Sequence, residues 1–168
     1  MISVLESLNT GLRACLRQNP DVVLLGEDLL DPYGGAFKVT RGLSTDFPEQ
    51  VITTPISEAG FSGAAVGMAL RGMRPVVEIM FGDFLTLAAD QIINHIAKFR
   101  WMYNDQVRVP MVLRTPMGGR RGYGPTHSQS LEKLFLGVPG LRVLAPTNLG
   151  DPGALLEHTI LYSEDPVL

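Results

Sequence analysis

The chain has 168 residues, 45% of them hydrophobic and 18% charged, which suits one domain with a substantial core. A formal net charge of −3 gives no electrostatic footprint for nucleic acid or an anionic membrane, so neither is expected as a partner. The one cysteine, Cys15, excludes an internal disulfide and a cysteine-built metal site, and its place among apolar positions makes it a small core residue.

The N-terminus carries an acid at Glu6 and no basic region followed by a long apolar run, so it does not read as a secretion signal. No window approaches the roughly 18 apolar residues of a spanning helix, and a cytoplasmic protein is the expectation. Ser3 and Glu6 form a capping-box pattern, and Leu5, Leu8, Leu12, Cys15 and Leu16 follow at helical spacing until Pro20. Residues 22–25 are a short apolar run of the buried-strand kind. Gly26, Glu27 and Asp28 then open a long loop through Tyr33, Gly34 and Gly35, followed by a helical turn, a strand over 51–53 and a helix opened by Glu58. A strand over 75–79, a helix over 84–100 and a strand over 109–115 come next. The loop 116–130 is glycine-rich, carries Arg120, Arg121 and His127, and is long enough to suggest function. A strand over 141–145, a helix over 152–162 with proline in its first turn, and the start of a strand over 165–168 complete the chain. Strands alternating with helices predict an α/β fold, a parallel sheet flanked by helices in three layers.

Glu58 is the only ionisable residue between Glu49 and Arg71, and it opens a helix of small and apolar residues. Such a carboxylate is expected to be buried or lodged in a cleft. As a first-turn acid it complements the helix dipole, worth roughly 0.3–1 kcal/mol. As a desolvated acid it is suited to proton transfer. The residues alone leave both readings open. Gly60, Gly63 and Gly67 share one face of the same helix, where each costs up to about 1 kcal/mol against alanine. Close approach of a neighbour is the expected compensation, either inside the domain or from a ligand or second subunit.

Several motifs are missing: no Gly-x-Gly-x-x-Gly follows the first strand, and no Walker loop or Gly-x-Ser-x-Gly elbow occurs. His95, His127 and His158 are too scattered for a helix-spaced metal pair. His127 stands apart in Gly124-Pro-Thr-His-Ser-Gln-Ser, where it can either handle protons or brace the turn.

The stretches TPISEAGFSGAAVGMAL, RPVVEIMFGDFLTLAADQIIN, TPMGG with THSQSLEKLF, and PGLRVLAP together resemble the pyrimidine-binding domain of the β subunit of 2-oxoacid dehydrogenase E1 components. These are thiamine-diphosphate enzymes of the pyruvate, branched-chain and acetoin types, and the resemblance runs from Leu5 to Leu168 in order and spacing. Ala64 and Met68 depart from the wider thiamine-diphosphate pattern of a bulky apolar residue and a glutamine at those places.

The resemblance implies a thiamine-diphosphate-binding fold with residues 1–168 as a single pyrimidine-binding module. It implies that Glu58 hydrogen-bonds N1′ of the aminopyrimidine and promotes the tautomer that removes the thiazolium C2 proton. Met80 and Phe84, with Ile56 upstream, are implied to line the ring pocket, and His127 to stand near the substrate. Glu27 and Asp90 match acids that relatives place between paired active sites, with a structural ion-pair role the alternative.

Gly82-Asp83-Phe84 lacks the third glycine of the Mg²⁺–diphosphate motif, so this chain is expected to hold no magnesium by side chains. That half of the site is assigned to an E1 α subunit in a heterotetramer, and the chain alone is expected to be inactive. The implied reaction is oxidative decarboxylation of a 2-oxoacid, with acyl transfer to the lipoyl carrier of an E2 acyltransferase. A monovalent cation held by backbone carbonyls between Thr159 and Glu164 is a further expectation. Relatives continue into a second α/β domain, so Leu168 is expected to be an artificial or split boundary and the isolated chain to self-associate. The alternatives are another thiamine-diphosphate transferase, transketolase-like or deoxyxylulose-phosphate-synthase-like, and a noncatalytic assembly module.

Overall fold

The computed structural model describes residues 2–120 and 122–168, so Arg121 of the glycine-rich loop lies outside the described residues. Helix α1 (Val4–Gln18) begins at the expected capping box: the Glu6 backbone N–H donates to Ser3 Oγ at 3.2 Å, and the Ser3 backbone N–H to Glu6 Oε2 at 2.8 Å. Strand β1 (Val22–Gly26) is buried along its whole length, as a strand covered on both faces must be. The turn helix α2 (Leu43–Asp46) and strand β2 (Val51–Thr53) lead to α3 (Glu58–Leu70), and β3 (Arg74–Glu78) follows.

Strand β4 (Val112–Arg114) is shorter than the expected 109–115. Pro110 has no N–H to give a ladder, and Pro116 ends the run from the other side. The four strands lie in the order β2-β1-β3-β4, all parallel. Residues 165–168 extend the sheet past β4: Leu113 N–H donates to Val167 O at 2.8 Å, and Leu168 N–H to Arg142 O at 2.8 Å. The expected strand over 141–145 is therefore reduced to an edge segment bridged through Arg142 and Val167. It has a partner on one side only, and Pro146 stops it.

The expected continuous helix over 84–100 is replaced by three pieces. These are a 3₁₀ segment (Gly82–Ala88), a π-helical segment (Gln91–Ile96) and a short α4 (Phe99–Met102). Leu85, Ala88, Ile92 and Ile96 are all buried in one core with Phe61 and Ala65 of α3. Their spacing suits a tightened, an ordinary or a widened turn alike, and packing on α3 decides among them.

One face of the sheet carries that core, built from Val23, Leu25, Val77 and Ile79 against α3 and the broken helix. The other carries Leu24, Val76 and Val112 against Leu12, Cys15 and Leu16 of α1 and Ile160 of α5 (Pro152–Tyr162). The result is the three-layer parallel α/β fold. Helices α1 and α5 meet at a glycine contact, where a Cβ on Gly11 would run into the Gly153 carbonyl.

Burial pushes the Cys15 thiol up to about 12, helped by the charge of Glu157. Its Sγ points at Glu157 O, 3.8 Å away. Cys15 is therefore expected to resist Ellman's reagent in the native chain at neutral pH and to react at a free-thiol rate only after denaturation, which a stopped assay in and out of guanidinium checks.

Candidate active site

The strand order turns back between β1 and β3, and in open parallel sheets ligands bind beyond the carboxyl ends of the strands at such a switch point. Glu27 follows the end of β1, and Ile79 and Met80 follow the end of β3. The Thr54 N–H donates to Gly26 O at 2.9 Å, which ties the start of the β2–α3 connection to the end of β1. Glu58 is then the first residue of α3, at the positive end of its dipole.

Both acids are buried, Glu27 at 7% exposure and Glu58 at 5%. Burial first, then the charges of Glu58 and Asp28, push the Glu27 carboxyl above its ordinary value. Its Oε1 is buried without a hydrogen-bond partner among the described residues, as are Thr54 Oγ1 and Ser62 Oγ, the latter one turn along α3 from Glu58. Two neighbouring buried carboxylates, one with an orphaned oxygen, call for a shared proton or a donor brought by a ligand. The burial of Glu58 is as expected from its helix.

Because the folded value of Glu27 is raised, the stability linked to it is complete below its unfolded value and is lost as pH rises through the folded one. Glu27→Gln is thus expected to stabilise the chain at neutral pH by about 1–2 kcal/mol, the order for relieving a buried unpartnered group. Thermal melts of both proteins across the acid range check this, the difference shrinking toward low pH.

An aromatic wall follows the end of β3, at the same end of the sheet as the acids. The Phe84 and Phe81 rings lie 5.7 Å apart edge to face, and His127 sits against both, at 5.1 and 4.7 Å. Phe37 and Tyr123 close on Phe81 at 5.6 and 5.8 Å. Thr126 Oγ1 lies 2.9 Å from His127 Nδ1. Met80 is half-buried at the root of this wall. The structure thus joins Phe84 with His127, and Glu27 with Glu58.

Other expected residues lie apart from these two groups. Ile56 is 84% exposed on the connection into α3. Asp90 is exposed, accepts a hydrogen bond from Asn94 Nδ2 at 2.8 Å, and has His95 Nδ1 at 3.8 Å. Between Thr159 and Glu164, the Ile160 and Ser163 carbonyls accept from Arg74 at 2.6 and 2.5 Å, and the Thr159 carbonyl from Ser163 N–H at 3.1 Å. On α3, a Cβ at Gly63 would lie 3.2 Å from Gln91 Oε1 and one at Gly60 2.6 Å from Ser57 Oγ, whereas one at Gly67 would meet nothing within 4 Å among the described residues, so only the Gly67 end of this face is free of packing inside the chain.

Sequence reasoning missed two pairs. Glu78 and Arg114 end β3 and β4 in register and form a buried ion pair. The signal was an acid in the apolar run Val76-Val-Glu-Ile-Met80, which needs a buried cation beside it. Asp83 and Gln129 are joined by a 2.7 Å hydrogen bond between side chains 46 positions apart, for which the sequence carries no local signal.

A parallel α/β module with buried acids and an aromatic wall at its switch point is the class that fold and site define. The profile of the transketolase pyrimidine-binding domain matches residues 1–168, and the chain belongs to that family. It is 40% identical over 168 residues to the pyruvate dehydrogenase E1 component subunit beta of Leifsonia xyli, with 99% of this chain and 49% of that one covered. It is 38% identical to the acetoin:2,6-dichlorophenolindophenol oxidoreductase subunit beta of Bacillus subtilis, covering 99% and 52%. To the 2-oxoisovalerate dehydrogenase subunit beta of Pseudomonas aeruginosa it is 40% identical, covering 99% and 47%. The chain thus spans about half the length of the relatives it matches. A split gene transketolase solved as an inactive β4 tetramer superposes with a TM-score of 0.75 at 24% identity, covering 99% of this chain and 50% of that one, a likeness of fold. Among the described residues no helix is long and apolar enough to cross a membrane.

Proposed function

We propose that this chain is the pyrimidine-binding half of a thiamine-diphosphate site in a 2-oxoacid dehydrogenase E1 β-type subunit. The observation that carries the reading is the buried Glu27–Glu58 pair, with an orphaned carboxylate oxygen, at the switch point of the sheet. The residues fit an aminopyrimidine: a ring with a basic nitrogen and an exocyclic amine offers the donors these oxygens lack, and apolar and aromatic side chains stand alongside. When bound, thiamine diphosphate supplies the electron sink for decarboxylating a 2-oxoacid and handing its acyl group to a lipoyl carrier.

Glu58 holds a proton on its carboxylate and shares it with the ring nitrogen, in surroundings dry enough to make that sharing strong. Glu27 adds a second negative charge that favours keeping the proton in the pair. Phe84 and Met80 hold the ring by burial, and Ile56 closes that side once a neighbour covers it. His127, anchored on Phe81 and Phe84, offers an imidazole to the substrate. Asp90 serves a proton path between paired sites through the same acid chemistry.

Mg²⁺ and the diphosphate fall to an α partner, which seats itself on the glycine face of α3 at its exposed Gly67 end, with an E2 lipoyl acyltransferase as acceptor. Where backbone carbonyls between Thr159 and Glu164 bind a monovalent cation, they do so alongside the Arg74 guanidinium. A near-ultraviolet circular dichroism titration of thiamine diphosphate and Mg²⁺ tests the proposal. A saturable signal is expected with the α partner present and little or none from the chain alone. Equal binding by the chain alone would overturn the half-site reading.

A further inference from the structure

We infer that Asp83 and Gln129 are a positioning pair that seats His127, an inference that rests on the reading of His127 as an active-site group. The loop 116–130 that carries His127 has no helix or strand among its described residues, and Gly118, Gly122 and Gly124 all take positive φ, at 99°, 77° and 79°. Such a segment has a large conformational entropy and cannot aim an imidazole unaided. Phe37 packs on Tyr123 at mid-loop, and the fixing points at its two ends come from one short turn, residues 81–84.

At the near end of the loop, the Gly82 N–H donates to Pro116 O at 2.9 Å, and a side chain on Gly82 would run into Met117. At the far end, Gln129 Nε2 donates to Asp83 Oδ1 at 2.7 Å and the Gln129 backbone N–H approaches Asp83 Oδ2 at 3.4 Å. The Gly118 N–H donates to Gln129 O at 3.2 Å and closes the loop on itself at that residue. Asp83 is only 8% exposed, so water competes poorly for its oxygens. The residues on either side of this clamp, Phe81–Gly82 and Phe84, present the two rings on which His127 rests edge to face, at 4.7 and 5.1 Å. His127 lies two residues before Gln129, so the carboxylate and the rings grip neighbouring points of the loop from a single turn.

The chemistry admits a test by exchanging donor and acceptor. Gln129→Glu sets a carboxylate against Asp83 and should release the loop. Asp83→Asn combined with Gln129→Glu restores a bond in the opposite sense, with amide now donating to carboxylate. Hydrogen–deuterium exchange of residues 117–130 in the full chain is expected to run about ten- to a hundredfold faster in Gln129→Glu and to return most of the way in the double variant. The ring-current shift that the Phe81 and Phe84 rings impose on the His127 imidazole protons should collapse and return with it.

In the enzyme assembled with its α partner, Gln129→Glu is expected to lower kcat/KM for the 2-oxoacid with thiamine-diphosphate affinity unchanged, and the double variant to recover it. Unaltered exchange and an unaltered ring shift in Gln129→Glu would overturn the clamp. A released loop with full turnover, while His127→Ala is impaired, would overturn its positioning role. Full turnover in His127→Ala would remove the reading of His127 on which the inference rests, even with the clamp intact.

Discussion

Arg114→Met is expected to destabilise the chain by about 3–5 kcal/mol, measured as a fall in the urea midpoint, because it strands a buried carboxylate. Glu78 is 5% exposed, ends β3, and has Arg114 as its register partner on β4. Gly35 lies against it, where a Cβ would sit 2.8 Å from Glu78 Oε1. Burial, the larger influence, holds the Glu78 carboxyl above its ordinary value, and the Arg114 guanidinium pulls it down.

The sign of the pH effect follows. A folded value above the unfolded one means that the stability linked to Glu78 is complete below the unfolded value and falls as pH rises through the folded one. Removing Arg114 raises the folded value further, so the variant should recover much of its loss in acid. Glu78→Met with Arg114→Met should lie far closer to wild type than Arg114→Met alone, since apolar replacement of a whole buried pair is often neutral. A loss below about 1 kcal/mol in Arg114→Met would show that water reaches the pair.

Glu58→Gln is expected to lower 2-oxoacid turnover by the assembled enzyme about 10²–10⁴-fold, the range for removing a positioned acid–base group. The change keeps shape and hydrogen-bonding length and deletes only the titrating oxygen. It also relieves the repulsion with Glu27, so the variant should fold at least as stably as wild type. Activity and stability are therefore expected to move in opposite directions, as they do where a site stores electrostatic strain. A parallel loss of both would instead mark Glu58 as a structural acid at the head of α3.

Much of the fold was legible because its signals are local. The Ser3–Glu6 box starts α1 where expected, and the apolar runs place β1, β2 and β3 within a residue or two. Glu58 was singled out by being the one charge in an apolar helix, and burial at the switch point matches that expectation. What escaped depends on contacts between distant segments. Residues 84–100 carry a helical period, but the hydrogen-bond register within it is chosen by packing on α3. Glu78 and Arg114 stand 36 positions apart and become partners only when β3 and β4 align. Of the glycines noticed on α3, Gly60 and Gly67 are exposed and Gly63 meets Gln91, whereas the close helix contact is made at Gly11 and Gly153.

The most direct measurement on the central claim is the rate at which the C2 proton of bound thiamine diphosphate exchanges with deuterated solvent, followed by proton NMR after acid quench. It is made on the enzyme assembled with its α partner, for wild type and for Glu58→Gln at saturating cofactor. Exchange slowed in step with turnover is expected if the Glu58 carboxylate holds the proton that activates the ring. Exchange at the wild-type rate in Glu58→Gln would contradict that role.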